Sequence, residues 1–550
     1  MNRRDFLKGA AAASSIPSLM TSSGAASSQK RESAGPALLD HGRLRSYVKM
    51  FNRHDVEIYA HTIPNEEAYD FLKGNIPLLD CPDTTVERTY YFRWWTYRKH
   101  LSETPEGFVI TEFQPDVPWG GRYNTIPCAA GHHFYEGRWM HESRYLDDYA
   151  RFWLYGGGDP RNYSFWAADA MLARHLVDGR KDALVELLDG LVKNYSGWVS
   201  EHQGRHGLFH QTAGADGMEH GIGGDGYRPT INSYMYGDAL AISRIAEMAE
   251  RTDLATEYAS KARKLREAVH NRLWDPGDGF FKVLPRNEQR LVDGRELLGY
   301  CPWYFNMPRE GHEDAWRALM DPDGFYAPCG PTTAEQSHPG FAVPYSSAGC
   351  SWNGPSWPYA TAQTLTALAN VLNNYDQDVV TKLDYARMLQ IYARSHQLQR
   401  EDESAIPWIS EDLEEAVVPW IDEELDPFTG DWVIRTLQKS GRAYRGFSGP
   451  KGKDYNHSTF CDLVISGLIG LRPREDATVE VNPLVPQGWW RYFCLDNIPY
   501  RGHALTILWD RTGGHYGKGQ GLHVFADGQQ VASSANLSRV TGALPGQGSR

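Results

Sequence analysis

One repeated pattern limits what this chain can fold into. An apolar stripe of helical period gives way to a turn marked by glycine or proline, and another stripe follows. Ile242, Ile245, Ala246 and Ala249 form one stripe, Tyr258, Ala262, Leu265 and Val269 a second, and Leu365, Leu368, Val371 and Leu372 a third. Residues three and four apart share one face of a helix, so each stripe marks a helix with one buried side. Further helices are expected over His141–Trp153, Tyr163–Val177 and Phe460–Leu471. The pattern recurs roughly every 25–45 residues for about 400 residues, without strand–helix–strand alternation. Such a chain stacks helical hairpins and builds no parallel sheet.

At Arg472-Pro473 the period changes. Thr478–Val481, Ala504–Trp509 and Leu522–Phe525 alternate as strands, and Asp527-Gly528 between two such runs is a hairpin signature. The expected organisation is a leader over 1–28, a lead-in segment over 29–89 and a helical domain over 90–474. A β domain over 475–535 and a loose Ser/Gly-rich tail over 536–550 complete it.

The net charge of −13 argues against a nucleic acid or an anionic membrane as partner. Eighteen Trp and 30 Tyr supply flat amphipathic rings, suited to stacking on sugars and equally to core packing. The seven cysteines show no CxxC pair and no zinc spacing, and their odd count leaves at least one free thiol. Arg3-Arg4, followed by Asp5-Phe6-Leu7-Lys8 and a short apolar run, reads as a twin-arginine export signal. The Tat export machinery of a bacterium is therefore an expected partner, and the periplasm or the exterior the expected location. No stretch reaches the roughly 20 apolar residues of a membrane-spanning helix, so no stable membrane insertion is expected.

Two carboxylate-bearing loops carry the chemistry. In AGADGMEHGIGGDGYRPT, Asp216 and Glu219 stand among six glycines ahead of Arg228. In PWIDEELDPFTGDW, Glu423 and Glu424 precede a turn through Pro427, Thr429 and Gly430. Hydrolysing a glycosidic bond takes a carboxylic acid to protonate the leaving oxygen and a second carboxylate on the other side. Glycine permits close backbone approach and suits a loop that wraps a ligand.

SWNGPSWPYA, Ser351–Ala360, resembles the WRGPxW element of the (α/α)6-barrel glycoside hydrolases, the clan of trehalases, glucosidase I and mannosylglycerate hydrolase-like enzymes. GMEHG is similar to the acid loop of that clan, and EELDPFTG matches its E-x-x-x-P-x-T-G base segment; the three elements also follow in the clan's order. The resemblance implies an (α/α)6 barrel with a small C-terminal β-sandwich. It also implies an inverting glycosidase with a carbohydrate substrate and no cofactor or metal. Carried over residue by residue, it makes Glu219 the general acid, with Asp216 as competitor, and Glu423 the base. Trp352, Asn353 and Trp357 become candidates for substrate binding, joined on their own chemistry by Trp303, Arg228, which otherwise pairs with Asp225, and Glu112. The chain departs from the pattern at Glu219, where Asp is usual, and at Asn353, where Arg is usual.

Three other readings compete. A polysaccharide lyase on an α/α toroid would use Tyr455, Asn456 and His457 in DYNHS, residues that otherwise cap a helix. A metalloenzyme would use His132, His133, Glu136 and His141. A non-catalytic carbohydrate-binding protein would keep the tryptophans and dispense with the carboxylates.

Overall fold

The structure, a computed structural model, describes residues 38–346, 349–399, 417–443, 445 and 451–546. The expected leader lies outside the described residues. Helices α1 (Gly42–His54) and α2 (Ala68–Asn75) and strand β1 (Leu78–Asp80) come first. Then α3 (Thr84–Lys99) leads through the hairpin of β2 (Leu101–Thr104) and β3 (Gly107–Ile110) into α4 (Ala130–Gly137), and α5 (Arg144–Tyr155) into α6 (Ala167–Asp178). The short α7 (Lys181–Val185) and α8 (Leu188–His202) lead into α9 (Pro229–Met248). Next, α10 (Thr252–Arg272), with the two-residue strands β4 (Trp274–Asp275) and β5 (Phe280–Phe281), leads into α11 (Cys301–Tyr304). A 3-10 segment, Glu313–Met320, leads into α12 (Pro358–Asn374). Finally α13 (Lys382–Ser395) leads through β6 (Gln397–Gln399), β7 (Val417–Pro419) and α14 (Val433–Lys439) into α15 (Phe460–Asp462), which runs on as a π-helix over Leu463–Leu468.

In each pair the second helix is the inner one. Helices α4, α6, α9, α11, α12 and α15 with its π extension touch in that order and close back on α4, and the first members pack outside. This is an (α/α)6 barrel. Inner helices α9 and α12 are buried almost all round, whereas α10 buries one stripe through Tyr258, Ala262, Leu265 and Val269. A helix with neighbours on the axis side and the outer side has no wet face, and an outer helix keeps one. Three inner helices, α9, α11 and α12, have a proline in the first turn, where its fixed φ fits and its missing N–H leaves no bond unmade. The ring is sealed where its last member meets its first. Glu136 of α4 accepts the backbone N–H groups of Cys461 at 3.0 Å and Asp462 at 2.8 Å, at the start of α15.

The C-terminal region is antiparallel. Its strands are β8 (Leu471–Arg472), β9 (Thr478–Val481), β10 (Tyr492–Tyr500), β11 (His503–Asp510), β12 (Gly521–Ala526), β13 (Gln529–Ser534) and β14 (Val540–Ala543). One sheet runs β1-β10-β11-β12-β13 and the other β14-β9-β8. Asp527 and Gly528 turn β12 into β13 with φ of 49° and 79°, the left-handed pair that the primed two-residue turn requires.

Several local expectations are corrected. The lead-in segment is built of α1 and α2, and its strand β1 joins the C-terminal sheet, with Leu79 opposite Leu495. The tail is not wholly loose, because Val540–Ala543 pairs with Thr478–Val481. The helix expected over Phe460–Leu471 is one α-turn followed by π. Among the described residues no helix is long and apolar enough to cross a membrane. All seven cysteines are free thiols.

Candidate active site

Every inner helix is entered through a loop, and these loops gather at one end of the barrel. The loop before α4 brings Glu112 and Cys128, the loop before α9 brings Glu219, the loop before α12 brings Cys350 and Trp352, and the long segment before α15 brings Glu423, Lys451 and Tyr455. Helix N-termini carry unpaired N–H groups and partial positive charge, so this end of the ring favours anionic groups. The loops are also tied together. Ser356 and Leu425 exchange backbone hydrogen bonds of 2.9 Å, which sets the SWNGPSW element beside EELDP, and Ser351 N–H donates to Glu424 Oε2 at 3.3 Å.

The acid loop is held by a buried ion pair. Asp216 and Arg228 are both fully enclosed, with Arg228 Nε 2.5 Å from Asp216 Oδ2, and the Thr230 hydroxyl donates to the same oxygen. Arg228 also donates to the carbonyls of Met218 at 2.5 Å and Gly224 at 2.6 Å, gripping the loop directly before Glu219 and again five residues after it. Asp216, enclosed and held by Arg228 and Thr230, anchors the loop, whereas Glu219 is the less buried of the two acids. Arg228 is enclosed and spent on these partners, and Asp225 instead accepts the Ala213 N–H at 2.6 Å.

Glu219 is half-buried, and the Cys350 thiol donates to its Oε2 at 3.2 Å. Burial pushes its carboxyl up to about 7; Cys350 and Arg445 pull it back, and the charge of Glu423 adds to the rise. Glu423, 2% exposed, forms an ion pair with Lys451, and burial together with the Glu423 charge pushes the adjacent Asp422 up to about 7. Lys451 also faces the rings of Phe113 at 4.7 Å and Trp119 at 4.9 Å, and Arg445 lies over Trp119 at 4.7 Å.

Glu112 is a third carboxyl in the cluster. The Tyr455 hydroxyl donates to it at 2.5 Å, the Cys128 sulfur lies 3.7 Å away and His457 Nδ1 3.8 Å away. Burial pushes Glu112 up to about 8 against the pull of Tyr455, and the charges of Glu423 and Glu219 raise it further. The segment carrying Lys451 and Tyr455 is bolted to the barrel wall by a buried lattice of charges. Lys99 of α3 lies 2.6 Å from Asp55 and 2.7 Å from Asp454, and Lys453 pairs with both acids.

Other predicted roles are corrected. Trp303 is wholly enclosed, packed on Phe281 at 5.5 Å and Trp316 at 5.7 Å, far from an open sugar face. Trp352 and Trp357, 4% and 2% exposed, stack on each other at 4.0 Å and form wall rather than platform. Asn353 bonds to Ser351 and to the Gly340 carbonyl, holding a neighbouring loop. His132 lies edge-on to Trp166 at 5.2 Å and Tyr359 at 4.5 Å, His133 is hydrogen-bonded to Tyr149 at 3.0 Å and to the Asn456 carbonyl at 2.6 Å, His141 to the Asn497 carbonyl at 2.9 Å, and Glu136 caps α15, so these four side chains do not converge on one point. Tyr455, Asn456 and His457 do not cap α15, whose N-cap is Thr459. Tyr455 is committed to Glu112 and its ring meets His457 at a tilt of 59°, with centroids 3.7 Å apart, which leaves little for a lyase base.

A cavity of about 320 Å³ opens between inner helices, lined in part by Arg138, Asp169, Arg244 and Asp462. Its polar groups have partners: Arg138 pairs with Asp462 at 2.7 Å, Arg244 with Glu475 at 3.5 Å, and Tyr135 donates to Asp169 at 2.7 Å.

The family model of the mannosylglycerate hydrolase MGH1-like glycoside hydrolase domain matches residues 122–458, a span that holds Glu219, Cys350, Glu423 and Lys451. The chain belongs to this family. It carries a glycoside hydrolase domain. Residues 471–533 of this MGH1-like hydrolase match the C-terminal domain of glycosyl hydrolase family 65, in agreement with the appended sheets. A solved structure named "Sialidase" is 39% identical, with a TM-score of 0.83, over 93% of this chain and 45% of its own. The family 78 rhamnosidase of Bacillus sp. GL1 is 12% identical with a TM-score of 0.52, over 79% of this chain and 40% of its own, a likeness of fold. An uncharacterised protein of Borreliella burgdorferi is 26% identical over 166 residues, 30% of this chain and 35% of that protein. The MGH1-like chain thus spans less than half the length of each.

Cys350, Lys451 and Arg445 went unnoticed in the sequence of this MGH1-like hydrolase. The last two lie in a glycine-rich stretch without a motif, and only the fold brings them to Glu219 and Glu423.

Proposed function

We propose that the protein hydrolyses an O-glycosidic bond of an oligosaccharide or polysaccharide with inversion, Glu219 acting as general acid and Glu423 as general base. The observation that carries this reading is the contrast between the two carboxyls. Glu219 is pushed up to about 7 by burial beside the Cys350 thiol, whereas Glu423 is paired with the Lys451 ammonium on a neighbouring loop. Two carboxyls whose surroundings differ in this way divide into proton donor and proton acceptor. Glu219 gives its proton to the leaving oxygen as the C–O bond breaks. Glu423 takes a proton from the water whose oxygen bonds to the anomeric carbon, so protons and electrons balance. Asp216 and Arg228 act as positioning residues for the acid. The rings at the mouth, Trp119 and the 45%-exposed Phe428, suit the apolar face of a sugar.

A panel of neutral and acidic glycosides, sialosides included because of the name of the 39%-identical relative, tests the reading. Product anomer is followed by NMR and unsaturated products by ultraviolet absorbance. Glu219→Gln and Glu423→Gln should each lower turnover by about 10²–10⁴-fold. A retained anomer would make the second carboxylate a nucleophile, and an absorbing product would make the protein a lyase. Export through the leader, with a periplasmic or secreted location, belongs to the same proposal. Substituting Arg3 and Arg4 by lysine should strand the protein in the cytoplasm, as fractionation would read.

A further inference from the structure

We infer that Glu219, His220 and Cys350 form a binding site for a soft divalent cation such as Zn²⁺, and that its occupation silences the acid. The three side chains offer a carboxylate oxygen, an imidazole nitrogen and a sulfur, all within 4.8 Å of one another. This is the donor set that zinc selects, and three protein ligands with one position left to water is the arrangement of an open zinc site. The geometry is close to formed. With bonds of about 2.3 Å to sulfur and about 2.0 Å to oxygen, a tetrahedral ion holds the two donors about 3.5 Å apart. Cys350 Sγ and Glu219 Oε2 already stand 3.2 Å apart. His220 is exposed and follows Glu219 directly in the loop, so its ring can swing onto the ion from the solvent side.

On coordination the Cys350 thiol and the Glu219 carboxyl release their protons to solvent, as metal ligands must. A Glu219 oxygen bound to the ion then has no proton to pass to a leaving group. The ion acts as a reversible stopper, and the hydrolytic step itself needs no metal. The silencing half of this inference rests on Glu219 being the acid; the binding half does not.

Titration of the full-length protein with Co²⁺, read without substrate by absorption, separates the two halves. The wild type should develop a thiolate-to-cobalt charge-transfer band at one equivalent, displaced by Zn²⁺. Cys350→Ser should abolish the band, and His220→Ala should weaken binding by at least about tenfold. A wild type without the band, a band that survives Cys350→Ser, or an affinity unmoved by His220→Ala overturns the site. In the turnover arm, stoichiometric Zn²⁺ should stop the wild type, a chelator should restore it, and His220→Ala should keep working at the same Zn²⁺ concentration. Zinc bound without loss of turnover overturns the silencing. A protein inactive on every glycoside would instead count against the acid–base reading, with the cobalt spectrum still deciding the site.

Discussion

A general acid has to carry its proton at working pH, and for the acid proposed at Glu219 burial meets that demand. Its working form is the protonated one, so kcat/KM should fall as pH rises through about 7. Arg445 pulls the carboxyl down, so Arg445→Met should move that limb to higher pH. A profile flat from pH 6 to 9 would assign the proton to another group. Side by side in the sequence, Asp216 and Glu219 are equivalent: two acids three residues apart in one glycine-rich loop. What separates them is Arg228 and Thr230, which reach Asp216 only once α9 has formed. Glu112 was legible as an acid in aromatic company. Its partners Tyr455 and His457 were read separately, because more than 300 residues intervene.

At the scale of elements, the acid loop stands on one buried ion pair. Removing one member of such a pair leaves an uncompensated charge, so Asp216→Asn should cost about 3–5 kcal/mol in denaturant unfolding. Turnover should fall too, because the Met218 carbonyl held by Arg228 adjoins the acid. The ring's seam is equally specific. Glu136→Ala strands two buried N–H groups at the start of α15 and should cost about 2–4 kcal/mol, measured the same way. The long helices α9, α10 and α12 were readable because their apolar period persists over several turns. The two short sheet strands β1 and β14 were not, since three or four residues carry no period and their partners lie far along the chain. The π-helix after α15 was likewise invisible, because apolar residues crowd every side of it.

Over the whole molecule, buried titratable groups set a pH window for stability. Glu112 is pushed to about 8, and Glu136, Glu219 and Asp422 to about 7, each foremost by burial. A carboxyl raised in the folded state binds more protons than in the unfolded chain, where it titrates near about 4. The stability it contributes is therefore full below about pH 4 and lost as pH rises through 7 to 8. Buried histidines act in the opposite direction. Burial lowers His100, His133 and His396 to about 3 and His61 and His270 to about 4, so stability is lost as pH falls below about 6.5. The thermal midpoint should peak between about pH 5 and 7 and fall on both sides in a calorimetric series. A midpoint still climbing above pH 8 would contradict the burial of these carboxyls.

Strand β1 also governs when the molecule can be finished. Its partner in the sheet is the stretch around Leu495, which leaves the ribosome only after the entire ring has been made. Until then Leu78 and Leu79 have no ladder to join, and the nascent chain holds an unpaired apolar strand. Completion of this fold is a late, long-range event, and β1 is released from waiting only when β10 has been made.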